Sequence, residues 1–425
     1  MDTIVKLNMR KRKILLTSFL SMALAFFTVS CSSSSDNNED NPGTGGGSET
    51  KELTAAEVKQ SLESTAQELL GKINASDFNE FSSMLNGIKY AKSDAVSEWF
   101  EACGKACGEV STSDTEYKYL IKAANFVGEF ELQNGVWKQT KKGGDHLSFS
   151  FADKDNNKCL LTLKASADGT EIHHDVFDDE YWRYDSNSET SVKYRYEYRF
   201  MLPKQIDATL TRNNEVRSSV SITSNVKTGK EVDLTKDEVE ITSNAQIGAY
   251  KVVVSKVAFN AGKSAEANAT ISKNDETLIS VSANATGNIN NELQGNYGNA
   301  NVTVDILGKA KVVATVSDVS MLIENVRKAM DNDKNETQFK QCLDNANKLI
   351  DAKLYVNNSA QSNAKAYLAA VEDGSGSYKY WSPELWLEFT DESKYSYSDY
   401  FNENSFKSVV DKVQSIVDDF VKMFE

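Results

Sequence analysis

From about residue 126 to residue 316 the side chains alternate apolar and polar with period two, and that period commits a chain to β-sheet. Asn134-Gly135 sits between two β-rich runs and predicts a tight hairpin. His146 to Ala152 and Lys158 to Ala165 predict another, joined through Asp153-Lys154-Asp155-Asn156-Asn157. Val192, Tyr194, Tyr196, Tyr198 and Phe200 alternate with Lys193, Arg195, Glu197 and Arg199. That pattern predicts a strand with one buried aromatic face and one charged, wet face. Tyr250 to Phe259 is apolar on both faces and predicts a central strand, and Val302 to Val316 gives a last pair turning at Gly308-Lys309. The chain has only 3 prolines, so its strand breaks fall mostly to Gly and Asn.

Inside this region the sequence repeats. Ala208-Thr209-Leu210-Thr211-Arg212-Asn213-Asn214-Glu215 returns 61 positions later as Ala269-Thr270-Ile271-Ser272-Lys273-Asn274-Asp275-Glu276, and Ser219-Val220-Ser221 returns as Ser280-Val281-Ser282. Each copy reads as a hairpin with a polar two-residue turn. Two copies are too few for a solenoid, which needs three or more, so a duplicated hairpin within one antiparallel sheet is expected. In the second copy Ala265, Ala267 and Ala269 share a face with Ala283 and Ala285. Small side chains leave room above a sheet for a closely packed helix or for a ligand.

Helical periodicity brackets the β region. Thr54-Ala55-Ala56-Glu57 is a capping box ahead of Val58, Leu62, Leu69, Leu70 and Ile73, and Ser93-Asp94 leads into Val96, Trp99, Phe100 and Cys103. After Ser317 the period returns to 3.6, with Val319, Leu322, Ile323, Val326 and Met330 on one face, then Phe339, Cys342, Leu343, Ala346, Leu349 and Ile350 on the next. The expectation is an α+β chain: helices over 51–125, one large antiparallel β-meander over 126–316, and helices over 317–425 interrupted by an irregular aromatic stretch, 378–401.

The first 50 residues are of a different kind. Lys6, Arg10, Lys11, Arg12 and Lys13 precede an apolar run, Ile14 to Phe27, that is shorter than the roughly 20 residues a spanning helix needs. Ala23-Leu24-Ala25 fits an ordinary secretory cleavage site. Thr28-Val29-Ser30-Cys31 instead resembles the lipobox of bacterial lipoproteins, with Thr28 where that family usually has Leu. The resemblance implies that residues 1–30 are a signal peptide and that Cys31 carries the lipid as the mature N-terminus. Residues 31–50 follow as an acidic, Gly/Ser-rich tether without core-forming side chains. Asp36-Asn37-Asn38-Glu39-Asp40 is similar to the export signal of surface lipoproteins of Bacteroidota, which implies anchoring in the outer membrane, facing the exterior. Loss of residues 1–30 removes five positive charges and one negative, taking the net charge from −15 to −19. So acidic a chain repels nucleic acid, and its contact with the membrane is expected through the N-terminal lipid alone.

Catalytic signatures are missing. The sequence has no Gly-x-Ser-x-Gly, no phosphate-binding glycine loop and no His-Glu-x-x-His. Its three histidines are His146, His173 and His174, and adjacent strand residues such as His173 and His174 point to opposite faces. The acidic run Asp175, Asp178, Asp179 and Glu180 reads as a solvated loop; calcium is the alternative. Cys103 and Cys107, four apart, lack the second Cys or His pair of a zinc site, and Cys159 and Cys342 make no disulfide framework in a chain this long. No cofactor and no metal are expected. The expected role is non-catalytic, binding or structural at the surface, with glycan a candidate ligand for the aromatic stretch that contains Tyr380, Trp381 and Trp386. Rings in that stretch could equally close one end of the core. A carrier of an apolar ligand between the sheet and its helices is the alternative, reminiscent of lipoprotein-carrier folds. A carboxylate-pair glycoside hydrolase is a further one.

Overall fold

The computed structural model describes residues 52–105, 109–113, 115–186, 189–229, 231–233, 235–289, 295–375, 378–402 and 404–424. The signal segment, Cys31, the tether and Cys107 lie outside the described residues. The first helix, α1 (Ala55–Lys72), starts where the capping box predicts: the Thr54 hydroxyl accepts from the Glu57 backbone N–H, and the Glu57 carboxylate accepts from the Thr54 N–H at 2.8 Å. The chain divides into two compact units, residues 76–262 and residues 52–75 with 263–423.

In unit 76–262, α2 (Asn79–Ile88) and α3 (Asp94–Lys105) precede thirteen strands. They are β1 (Glu109–Ser113), β2 (Glu116–Lys122), β3 (Gly128–Gln133), β4 (Val136–Lys142), β5 (Leu147–Ala152), β6 (Lys158–Ala165), β7 (Gly169–His173), β8 (Asp179–Asp185), β9 (Thr190–Pro203), β10 (Gln205–Arg212), β11 (Glu215–Lys227), β12 (Glu238–Ile247) and β13 (Tyr250–Asn260). Eight run in the order β4-β3-β5-β6-β10-β11-β12-β13, antiparallel to their neighbours except for β3 with β5. The other five form a separate sheet, β1-β2-β9-β7, with β8 also paired to β9 and β2 running parallel to it. This corrects two expectations. Residues 109–113 and 116–122 are strands rather than helix, and the described strands of 126–316 do not make a single sheet. β2 and β9 pair across some eighty residues of sequence, a distance at which local pattern is silent.

The apolar face of the eight-stranded array carries Phe130, Phe151, Cys159 and Leu210, joined by Trp137 and by Met84 of α2. Trp99 of α3 closes it edge-on to Phe130, at 5.4 Å between centroids, and its indole N–H donates to Val127 O at 3.0 Å. Burial of these large rings supplies the main stabilisation of this unit.

In unit 52–75 with 263–423, eight strands follow one another: β14 (Ser264–Lys273), β15 (Glu276–Ile289), β16 (Gly295–Ile306), β17 (Ala310–Val316), β18 (Ile350–Val356), β19 (Ala364–Ser375), β20 (Tyr378–Phe389) and β21 (Lys394–Ser396). Each runs antiparallel to the next. Between β17 and β18 stand α4 (Val319–Met330), capped by Asp318, and α5 (Glu336–Asn347), capped by Asn335. After β21 come the single turn α6 (Tyr397–Tyr400) and α7 (Lys407–Phe424). The expectation of helix over 317–425 is therefore corrected in its middle. The helical pattern stops at Asn347, and Ile350 onward pairs with β17, because a sheet edge offers seven residues a full ladder of partners. The aromatic stretch 378–401 is likewise regular strand through Phe389.

Helix α1 crosses the turn end of this sheet and is held by successive hairpins. Asn357 donates to the Ser61 hydroxyl at 2.9 Å, Lys309 pairs with Glu68, Lys72 pairs with Glu276 at 2.8 Å, and Lys273 donates to Lys72 O at 2.7 Å. Beneath it Val58 packs with Leu354, Val356, Leu387 and Phe389. Phe339, Leu343 and Ala329 of the α4–α5 pair pack against Leu368, Ala370 and Trp381. Ala265, Ala267, Ala269, Ala283 and Ala285 do share one face, and in register it continues through Ala300 and Val302, then Val316 and Ala314, into the face under α1.

The repeat is structural as well as sequential. Ala208 pairs with Val220 and Ala269 with Val281; Arg212 pairs with Glu215 and Lys273 with Glu276; each hairpin has its bulge at the same place, after Leu210 and after Ile271. Asn213 and Asn214 have φ of 52° and 68°, and Asn274 and Asp275 have 48° and 62°. Two consecutive left-handed residues are what a two-residue turn of matching twist requires.

Candidate functional site

The three aromatic residues singled out in the sequence do not come together. On β20, Trp381 lies on the face of Leu387 and Phe389, packed against Leu368 and Ala370 with the Lys340 ammonium 4.9 Å from its ring centre. Tyr380 and Trp386 lie on the opposite face, six residues or about 20 Å apart along the strand. The Trp386 indole N–H donates to Glu384 at 2.9 Å, and Tyr380 is 40% exposed with its hydroxyl on Asp373 at 3.2 Å. That bond to a carboxylate raises the phenol pKa of Tyr380. Trp381 is half-buried against the α4–α5 pair, and the other two make no common patch with it.

Exposed rings gather instead on the five-stranded sheet of unit 76–262, whose two faces differ sharply. On one face the parallel pairing of β2 with β9 sets Tyr117 beside Tyr196 and Tyr119 beside Tyr198, and β8 adds Tyr181 beside Tyr194. Tyr117 and Tyr196 stack at 5.0 Å with 12° between planes, Tyr119 and Tyr198 at 5.3 Å, and Tyr196 and Tyr181 at 5.6 Å. Rings this close and this parallel are stacked on one another, which leaves those of β2 and β9 half-buried. The Tyr181 and Tyr196 hydroxyls meet at 2.9 Å, a bond that raises the Tyr196 pKa. The sequence predicts an aromatic face on β9, and that holds; its burial comes from ring-on-ring stacking with β2 and β8.

The other face is charged. Glu197 takes Lys118 at 2.9 Å and Arg199 at 2.6 Å, and Arg199 also takes Glu171 at 2.7 Å. Burial opposes the charge on Glu197, yet these two cations hold its carboxyl down at about 2. Along β8, Glu180 pairs with Lys193 at 2.6 Å and with Arg195 at 3.6 Å. The next two residues on this face of β8 are Trp182 and Tyr184, which are 68% and 64% exposed. Trp182 is the register partner of Lys193 and Tyr184 that of Ser191. Two bare rings at i and i+2 on a strand, flanked by charged side chains, can stack on a flat apolar ligand face while bonding its polar rim. The sequence signal for them is Tyr181-Trp182-Arg183-Tyr184, a short alternating stretch beside the acidic run.

The histidines separate as their adjacency demands. His174 accepts from the Val176 N–H at 3.1 Å, while His173 turns into the charged face between Asp178 and Glu231. Asp153, at the start of the β5–β6 turn, points inward, and its carboxylate takes the N–H groups of Asp155 and Asn157 and the Arg212 guanidinium. Among the described residues no cluster of His, Cys, Asp or Glu is arranged to hold a metal ion, and no helix is long and apolar enough to cross a membrane. Comparison with protein-family models, with curated proteins and with solved structures gave no match to the chain.

Proposed function

We propose that this chain is a lipid-anchored, non-catalytic surface protein that binds glycan through the charged face of its five-stranded sheet, with Trp182 and Tyr184 as the stacking rings. The observation that carries the reading is the exposure of both rings on one face of an edge strand, beside Glu180, Lys193 and Arg195. The C–H face of a pyranose stacks on such rings, and its hydroxyls suit the flanking carboxylate and cations. Lipid on Cys31 and an exterior location would bring that face to polysaccharide. A glycan array tests the binding: signal is expected from the full chain, and Trp182→Ala with Tyr184→Ala abolishes it, whereas Trp381→Ala and Trp386→Ala leave it intact. No signal, or binding indifferent to Trp182 and Tyr184, overturns the reading. Labelling with a palmitate analogue tests the anchor; equal labelling of the native chain and Cys31→Ala refutes it.

A second reading is a carrier of an apolar ligand. Val252 and Val257, 39% and 41% exposed, lie on the same face as Val220 and Ile222 in unit 76–262. Sequential strand order over β10–β13 and over β14–β21 supports a helix-covered meander within each unit, the architecture that lipoprotein carriers use. Native mass spectrometry decides: a co-purifying lipid supports the carrier, and an empty protein counts against it.

A further inference from the structure

His173 ends β7 with its side chain 7% exposed, and it is gripped from both sides. Nδ1 meets the Glu231 carboxylate, and Nε2 lies 3.1 Å from Asp178 Oδ1. A neutral imidazole has one N–H and can satisfy only one of these carboxylates; the imidazolium satisfies both. The backbone follows the side chains. Glu231 forms an isolated parallel bridge with His173, and Val232 N–H donates to His173 O at 3.1 Å. Asp178 Oδ1 also accepts from Tyr198 N–H at 3.3 Å, which sets the residue that leads into β8 against β9.

The remaining charges around the ring are spoken for. Arg199, its register partner on β9, is bound to Glu171 and Glu197, and Lys118 of β2 completes that group. Asp178 is 8% exposed, and its Oδ2 has no hydrogen bond among the described residues; the cation nearest to it is Arg195, at 3.5 Å. Arg195 in turn reaches Glu180, Glu180 holds Lys193, and Lys193 faces Trp182. A continuous run of charge thus joins His173 to the exposed rings.

We infer that His173 is a protonation-controlled clasp: charged, it ties residues 231–232 to β7 and fixes β8 through Asp178; neutral, it releases one carboxylate and β8 loosens, and the Trp182–Tyr184 ring pair with it. The consequence for binding rests on that ring pair being the glycan site. Burial works against the imidazolium, but its hydrogen bonds to Glu231 and Asp178 outweigh that and hold the His173 pKa above its ordinary 6.5. The clasp therefore contributes fully below about pH 6.5 and is lost as pH rises through the raised folded value.

Hydrogen exchange of the full chain by mass spectrometry, corrected for intrinsic base catalysis, reads the clasp with no ligand present. Between pH 6 and pH 9 the protection of residues 176–185 and 231–233 is expected to fall roughly tenfold in the native protein, the factor that about 1.4 kcal/mol carries. His173→Gln is expected to be open at both pH values. Protection that does not change with pH in the native protein overturns the inference. Should His173→Gln fail to fold, Glu231→Gln removes an exposed partner instead, and with three histidines in the chain the His173 resonance can be followed by NMR. Its titration midpoint must drop in Glu231→Gln; an unmoved midpoint also overturns the clasp. An array without signal removes the glycan reading and leaves the exchange result standing.

Discussion

Replacing Arg212 by Met should destabilise unit 76–262 strongly, and in a way that depends on pH. The Asp153 carboxylate is fully buried and takes Arg212 Nε at 2.7 Å, with the N–H groups of Asp155 and Asn157 at 2.8 Å each and the Asn157 amide at 3.1 Å. Removing one partner of a buried ion pair costs about 3–5 kcal/mol when nothing else supports the stranded charge. Here three N–H donors remain, so about 2–3 kcal/mol is expected. Burial opposes the charge, but the hydrogen bonds from Asn157, Arg212 and Asp155 hold the Asp153 pKa at about 2. That is a depressed carboxylate: its stabilisation is present above the ordinary carboxyl range and lost as pH falls toward 2. Without Arg212 the folded pKa rises, so the gap between native and variant narrows on acidification. Urea unfolding followed by tryptophan fluorescence at pH 7 and pH 3 measures both quantities. Lys273→Met, at the same place in the second hairpin copy, is the control. It loses one bond to Lys72 O and should cost about 1 kcal/mol or less. Equal costs for the two variants, or an Arg212→Met cost that is the same at both pH values, would refute the reasoning.

Other substitutions test other parts of the molecule. Gly87→Ala improves helix propensity by about 1 kcal/mol, but the added Cβ would sit 2.4 Å from Ala152 O; net destabilisation is expected in urea, and a gain would show that the backbone yields. Phe339→Ala empties a fully buried site between α5 and β19 and should cost about 3–5 kcal/mol in the same assay. Asn274→Val places a β-branched residue at φ 48° and should lower stability by about 1–2 kcal/mol, detectable as a drop in Tm.

What could be read from the sequence follows from how local each interaction is. The α1 capping box and the Asn-rich turns involve residues two to four apart, and they appear where the pattern places them. The repeat even carries its bulge and register. Pairings over long separations left no such trace. Tyr117 against Tyr196 decides that β9 leaves the main array, and Ile350 against Val316 decides that 350–356 is strand. Placement of the candidate rings follows the same rule. Trp381 and Trp386 stand out by residue type, but strand parity sends them to opposite faces, whereas Trp182 and Tyr184 owe their exposure to an edge position that only tertiary pairing creates.

The duplicated hairpin also sets a hazard during folding. Two segments of one chain that share turn, bulge and register can each nucleate early, and either one has the strand geometry to dock where the other belongs. Backbone complementarity gives no discrimination between the right insertion and the exchanged one. The side chain before the turn does: Asp153 accepts the forked guanidinium of Arg212, while Lys273 is placed to reach a helix-end carbonyl. An exchanged hairpin would leave Asp153 buried opposite an ammonium of different reach, and the misassembled chain would be the less stable one. The Arg-for-Lys difference before the turn, one of several between the copies, thus acts as an address label, directing two parts of like backbone to separate places.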